Sequence, residues 1–261
     1  MKRRKFLSAL GTSVASMSIL KYSTSISESI IKKSETRIIG HRGCSKTKKD
    51  NSLEGIKCAM DSGANGVEID IHETSDGKFV LNHDPHIING ADIMLIRNNT
   101  LKEIQAKTDR LSLREALDIL SEKNKFTVYL DLKSMNIASK VVKIVKEYNM
   151  LDSVVVIAWL VSEFNSINDL NVKTGLISYY PSMNLVERAK ENNINAIIPH
   201  YTSQKLNHIM KFAHQNNIEC GYWTISDSKE DIIKGLSINP DFMITNQPNY
   251  AHEYLNKNCC N

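Results

Sequence analysis

The chain has 261 residues, 41% of them apolar, and a formal net charge of +4. That apolar share supports a packed core and excludes a disordered chain. Lys2, Arg3, Arg4, Lys5 and Lys21 against Glu28 hold the excess in residues 1–30. The remaining body is nearly neutral, which argues against a nucleic-acid-binding surface.

The N-terminus, residues 1–30, has the composition of a targeting segment. The run Lys2-Arg3-Arg4-Lys5-Phe6-Leu7-Ser8 precedes an apolar, Ser-rich stretch too short to span a bilayer comfortably. The paired arginines followed by Phe6 and Leu7 resemble a twin-arginine export signal, so the chain is expected to be exported to the periplasm or cell envelope. An ordinary secretory signal or an uncleaved anchor fits the same composition. Residues 31–261 are expected to form the catalytic domain.

From residue 37 onward, short β-rich runs alternate with amphipathic stretches. Strands are expected at 37–41, 66–71, 126–133, 153–159, 174–178, 195–200, 218–225 and 242–245. Helical periodicity marks 113–123, 138–148, 185–192 and 206–215. Eight short apolar strands alternating with helices, in a chain of this length, predict a TIM (β/α)8 barrel. One interval departs from the repeat. After Ile71 come a turn at 73–78, a second extended run at 79–82 and an excursion at 85–111, a small insertion on the side where barrel enzymes keep their sites.

Five cysteines (Cys44, Cys58, Cys220, Cys259 and Cys260) show no metal-binding spacing. Their odd number does not describe a disulfide framework, and Cys58 is expected to be a core residue.

Four polar clusters fall at the carboxyl ends of expected strands. His41-Arg42-Gly43 pairs a proton shuttle with a phosphate clamp. Glu68 and Asp70, two residues apart on one strand, project to the same face, where two buried acids call for a cation such as Mg²⁺ or Ca²⁺. His83, in Asn82-His83-Asp84, supplies a second acid–base group. Asp131 and Lys133, again on one face, add a third carboxylate and an ammonium. Each pattern alone also fits a solvated turn, an exposed edge strand or a strand-end salt bridge; their shared placement favours a site.

Together these motifs resemble the glycerophosphodiester phosphodiesterase family: H-R-G at 41–43, E-x-D at 68–70, T-x-D-G at 74–77 and H-D at 83–84. Leu111-Ser112-Leu113-Arg114-Glu115, Asp-x-Lys at 131–133, Tyr222-Trp223-Thr224 and Ile244-Thr245-Asn246-Gln247-Pro248 extend the likeness over nearly all of 37–250. The resemblance implies hydrolysis of a small-molecule glycerophosphodiester to sn-glycerol 3-phosphate and an alcohol, with a divalent cation, Ca²⁺ or Mg²⁺. By motif, His41 and His83 become the acid–base pair and Glu68, Asp70 and Asp131 the metal ligands. Arg42 and Lys133 then hold the phosphate, and Trp223 lines the glycerol end.

Three positions depart from the family pattern: Asp50 and Asp131 each stand where glutamate is usual, and Asn246 where aspartate is usual. The same residues admit two rival functions. One is a phospholipase D-like enzyme acting on lysophospholipids or sphingomyelin through an apolar entrance at Ile93, Leu95 and Ile96, with transient lipid contact. The other is a non-catalytic binding barrel.

Overall fold

A computed structural model describes residues 36–180, 182–201, 206–225 and 228–258; the expected export signal at 1–30 lies outside them. The barrel staves begin with β1 (Arg37–His41) and β2 (Gly66–Glu73), separated by helix α1 (Leu53–Asp61). β3 (Phe79–Leu81) runs back antiparallel along β2, and β4 (His86–Asn89) pairs with β5 (Asp92–Leu95) in a separate hairpin. Helices α2 (Leu101–Lys107) and α3 (Leu113–Leu120) complete the excursion. The expected insertion is therefore a return strand, a hairpin and an extra helix.

The repeat then resumes with β6 (Thr127–Leu132), α4 (Ala138–Glu147), β7 (Val154–Ala158) and β8 (Lys173–Ser178). It continues through α5 (Met183–Glu191), β9 (Ala196–Pro199) and α6 (Leu206–Gln215). It ends with β10 (Glu219–Cys220), β11 (Tyr222–Ile225), α7 (Lys229–Ser237), β12 (Phe242–Thr245) and α8 (Pro248–Asn258). Parallel pairing runs β10-β9-β8-β7-β6-β2-β1-β12-β11. The expected strand at 218–225 is one stave broken at Gly221: its first half pairs with β9 and its second with β12. A bridge between His200 and Trp223 joins the two ends. The chain is a TIM (β/α)8 barrel. Gly221 is required by close approach, because a methyl group there would lie 2.2 Å from the Phe242 ring.

Strand side chains alternate, so each stave sends one set inward and the other toward the helices. Ile39, Tyr129, Val155, Ile157, Ile177, Ala196, Ile198, Phe242 and Ile244 fill the barrel interior. Ile38, Val67, Ile69, Ile71, Val128, Leu130 and Val156 pack outward against helices that bury Ile56, Leu117, Val141 and Val186. Five helices, α1, α2, α3, α5 and α7, take a serine or threonine cap, typically worth about 1 kcal/mol each. α2 and α3 carry full capping boxes, Thr100 with Glu103 and Ser112 with Glu115. Among the described residues, no helix is long and apolar enough to cross a membrane.

One expectation is corrected. Cys58 is not a free core thiol: it forms a disulfide with Cys44, with Cα atoms 5.9 Å apart. The odd count concealed it, since Cys220 stays a buried free thiol and Cys259 and Cys260 lie outside the described residues. The bond ties the loop after β1 to the outer helix α1.

Candidate active site

Counting inward positions one step past the apolar layer gives the floor of a cleft at the carboxyl end of the barrel. β1 contributes His41, β2 contributes Glu68 and Asp70, and β6 contributes Asp131. The register aligns His41 with Glu68 and Asp70 with Asp131, so the parallel ladder itself sets these groups side by side. Trp159, Tyr179 and Asn246 follow β7, β8 and β12 at the same parity, and Trp223 takes that place within β11. His41, Arg42, Glu68, His83, Asp131, Lys133, Trp159, Tyr179 and Trp223 line one cavity of about 160 Å³.

Glu68, Asp70 and Asp131 are buried, and each offers an oxygen within 4.8 Å of the others. Burial and the neighbouring Asp70 and Asp131 charges raise Glu68 well above the usual carboxylate range. Burial raises Asp131 to about 6 despite Lys133. Burial pushes Asp70 upward too, but Lys133 and Arg42 outweigh it and hold that group low. Lys133 Nζ lies 3.1 Å from Asp70 Oδ1 and 2.5 Å from Asp131 Oδ2. Arg42 Nε lies 3.1 Å from Asp70 Oδ2. Three carboxylates thus face two cations, and Asp131 Oδ1 is buried with no hydrogen-bond donor. An orphaned oxygen in an all-oxygen, under-neutralised cluster fits a hard divalent cation.

The loop at 42–52 positions the cluster. Asn51 Nδ2 donates to Asp70 Oδ2 at 2.8 Å, while Asn51 Oδ1 accepts from the Asp70 amide at 3.0 Å. The Arg42 amide donates to Glu68 Oε2 at 2.9 Å. Asp50 Oδ2 takes Arg42 Nη1 at 3.0 Å, so the shorter acid still reaches the guanidinium. Ser52, rather than Asn51, caps α1. Gly43 has φ +97°, and a methyl group there would lie 2.4 Å from the Gly55 carbonyl carbon. A glycine is needed for the loop to lie so close to α1.

The two histidines differ. The Asn246 Oδ1 accepts from His41 Nδ1 at 2.6 Å and from Ser45 Oγ at 2.7 Å. The ring proton therefore sits on Nδ1, leaving Nε2 with a lone pair beside Glu68 Oε2 (3.9 Å) and Thr224 Oγ1 (3.4 Å). Burial and the Arg42 charge lower His41 to about 4, so it is neutral at pH 7. His83 follows β3, is half-exposed and holds Asp84 Oδ1 through Nδ1 at 2.8 Å. Its carbonyl is tied to His72 Nε2 at 3.1 Å.

The structure brings together all eight residues singled out from sequence: His41, Arg42, Glu68, Asp70, His83, Asp131, Lys133 and Trp223. Trp223 packs edge-on against Trp159 (centroids 5.3 Å apart) and Tyr179 (5.2 Å), and its indole Nε1 is buried without a partner. Trp159 and Tyr179 were not anticipated, although strand parity past Ile157 and Ile177 would have placed both in the cleft. Of the expected apolar entrance, Ile93 and Leu95 are exposed. Ile96 is not part of it: it is buried, packed with Val80, Ile87, Met94 and Ile104.

Comparison with known proteins points to one family. The model of the glycerophosphoryl diester phosphodiesterase family matches residues 41–250. A glycerophosphodiester phosphodiesterase of Caldanaerobacter subterraneus subsp. tengcongensis is 27% identical over 236 residues, covering 82% of this chain and 95% of that protein. The solved glycerophosphodiester phosphodiesterase of Thermotoga maritima superimposes with a TM-score of 0.74 at 24% identity, over 84% of this chain and 98% of its own. A phosphodiesterase of Oleispira antarctica, solved with the product sn-glycerol-3-phosphate, gives a TM-score of 0.74 at 18% identity, over 84% and 96%. The chain belongs to the glycerophosphoryl diester phosphodiesterase family, whose members are phosphoric diester hydrolases.

Proposed function

We propose that the chain hydrolyses glycerophosphodiesters to sn-glycerol 3-phosphate and an alcohol, using a divalent cation held by Glu68, Asp70 and Asp131. The observation that carries this reading is the convergence of a buried, under-neutralised carboxylate triad and a neutral His41 on one cleft. Oxygen ligands of this kind suit Ca²⁺ or Mg²⁺. When bound, such an ion supplies Lewis-acid polarisation of the phosphoryl group and offsets charge in the transition state.

The remaining chemistry falls to the protein. Lys133 and the Arg42 face that lines the cleft orient the phosphate. His41 Nε2, held unprotonated by the Asn246 contact to Nδ1, removes the proton of the nucleophile, either water or a glycerol hydroxyl. His83, oriented by the contact of its Nδ1 with Asp84 Oδ1, protonates the departing alkoxide. The aromatic wall of Trp159, Tyr179 and Trp223 excludes water and packs the glycerol carbons, while Trp223 Nε1 is free to donate to a substrate oxygen. The twin-arginine-like segment and the Cys44–Cys58 disulfide support export, since such bonds persist in oxidising compartments.

The test is glycerol 3-phosphate release from several glycerophosphodiesters, with and without chelator. Release abolished by chelator and restored by Ca²⁺ or Mg²⁺ is expected. Chelator-insensitive turnover would remove the cation from the mechanism, and no turnover of any diester would favour a binding barrel.

A further inference from the structure

The active-site cleft does not end at His83. Arg42 and His83 also border a second cavity of about 250 Å³, whose other polar walls include Asp50, Asp84, His86 and Arg110. His83 is the group assigned above to the departing alkoxide, so the alcohol half of a diester extends into this second cavity. The glycerol half stays in the first, against Trp223.

Arg110 is the anomalous group there. It is half-buried, and among the described residues its guanidinium makes one hydrogen bond, from Nη1 to the Asp50 carbonyl at 3.0 Å. Four carboxylates lie close enough for their charges to act on it: Asp109, Asp50, Asp70 and Asp84. Each is engaged elsewhere. Asp109 holds Lys49, Asp50 holds Arg42, Asp70 holds Arg42 and Lys133, and Asp84 holds His83. Burial outweighs their attraction and puts Arg110 below its ordinary pKa. At Arg42 burial acts the same way, but Asp70 and Glu68 outweigh it and raise that group. Arg110 stays charged at any working pH. A half-buried guanidinium left with one carbonyl is an arrangement that an incoming anion completes.

Asp50 joins this cation to the site. Its Oδ2 lies 3.0 Å from Arg42 Nη1 while its carbonyl holds Arg110. The two guanidiniums thus share one anchor, Arg42 bordering both cavities and Arg110 the second alone. The His86 ring, which makes no hydrogen bond among the described residues, lines the same cavity and adds a donor. A cationic headgroup finds nothing equivalent, because Asp50 and Asp84, the two carboxylates of this cavity, already hold partners.

We propose that Arg110 is a specificity-determining residue for the departing alcohol, and that the preferred diesters carry a second anion, phosphate or carboxylate, on that alcohol. The proposal rests on the phosphodiesterase reading above, which places the departing alcohol beside His83. The net reaction is unchanged. A water oxygen forms the new bond to phosphorus, the P–O bond to the alcohol breaks, and the alcohol leaves with a proton and its own anion intact. The planar fork of Arg110 matches either anion with two parallel N–H···O bonds.

The experiment uses two pairs of soluble diesters, the members of each differing by one anion. Glycerophosphoglycerol is compared with its phosphate ester on the terminal hydroxyl, and glycerophosphoethanolamine with glycerophosphoserine. Loss of diester gives kcat/KM for the full wild-type chain, Arg110→Gln and Arg110→Lys, each checked by a melting curve. Wild type is expected to favour the phosphate-bearing member by roughly tenfold or more and the carboxylate-bearing member severalfold, the effect of one charge-assisted pair. Arg110→Gln, whose amide can still donate to the Asp50 carbonyl, should bring the two members of each pair within about twofold, while Arg110→Lys keeps part of the preference. A preference in the glycerol pair alone supports the proposal with phosphate as the anion. Wild-type turnover with no preference in either pair overturns it. So does an Arg110→Gln chain that keeps the preference, which would put the anion on another cation. A uniform loss on all four diesters would make Arg110 a support of the 42–52 loop and overturn it too. No turnover of any diester by wild type would instead sink the phosphodiesterase reading, and this proposal with it.

Discussion

The two ends of the barrel solve the same electrostatic problem in opposite ways. At the amino end, Arg37 Nη2 meets Glu219 Oε2 at 2.7 Å and lies over the Phe242 ring at 5.4 Å from its centroid. Asp241 Oδ2 accepts from His214 Nε2 and from the Cys220 amide, both at 2.7 Å. Charges there meet partners at the half-exposed edge of the barrel, and the apolar layer closes above them. At the carboxyl end, three acids are buried together, Asp70 Oδ1 and Asp131 Oδ1 accept no hydrogen bond, and a histidine is kept neutral. One end pairs its charges and holds the fold; the other buries charges that are under-neutralised, which is the usual physical signature of a site that awaits ligand.

That contrast can be broken by substitution, and the largest effect belongs to the mouth. His41→Ala is expected to lower kcat by roughly 10²–10⁴-fold, the usual range for loss of a general base, with the thermal midpoint little changed. Steady-state release of glycerol 3-phosphate and a melting curve on the same sample check both halves. Activity near wild type would remove His41 from the chemistry.

The converse test is at the floor. Phe242→Ala deletes a fully buried ring that packs on Tyr129 and beneath Gly221, and is expected to cost about 3–5 kcal/mol of stability. Denaturant unfolding measures it, while kcat of the remaining folded fraction should stay within a few-fold. A large fall in kcat with unchanged stability would erase the division between the two ends.

A pH series sharpens the comparison further. Asp131 in the fold titrates near 6, above its ordinary value, so the fold binds that proton more tightly than the unfolded chain does. Its contribution to stability is therefore lost as pH rises from about 4 through about 6. A cation that binds the carboxylate reverses the loss. The rise in thermal midpoint on adding Ca²⁺ should be small at pH 5 and grow to a plateau above pH 7, and Asp131→Asn should flatten that growth. A rise independent of pH would argue that the cation binds elsewhere.

The smallest effect is expected from Arg37→Gln. Both partners of its ion pair are partly exposed, so the loss should stay within about 1 kcal/mol, measured by the same denaturant series.

The strand frame and the carboxylates were legible from sequence because both depend on local periodicity. Apolar runs of four to six residues marked the staves, and the i, i+2 spacing of Glu68 and Asp70 and of Asp131 and Lys133 put each pair on one face. The excursion was less legible. Its β4–β5 hairpin exposes the Ile88–Ile93 pair and so lacks the usual apolar-in signal. Helix α2 did carry one in Thr100-x-x-Glu103, a capping box visible in the bare sequence. What could not be seen was any contact between distant elements. Asn246 sets the ring proton of His41 across 205 residues, and Asn51 holds Asp70 through both its amide and its carboxylate. Neither asparagine has a local pattern that separates this work from capping or solvation.

The Cys44–Cys58 bond has an effect that begins before the barrel exists. It makes residues 44–58 a covalent ring, and that ring contains Asp50 and Asn51. In the unfolded chain the ring stays closed, which removes about 3 kcal/mol of conformational freedom in the chain-entropy view. A chain refolded with the bond intact starts with the segment that holds Arg42 and Asp70 already tethered to the helix it lies against. An oxidising environment then acts on the site through the chain's own connectivity, and a reductant would loosen the cleft from behind while touching none of the groups that line it.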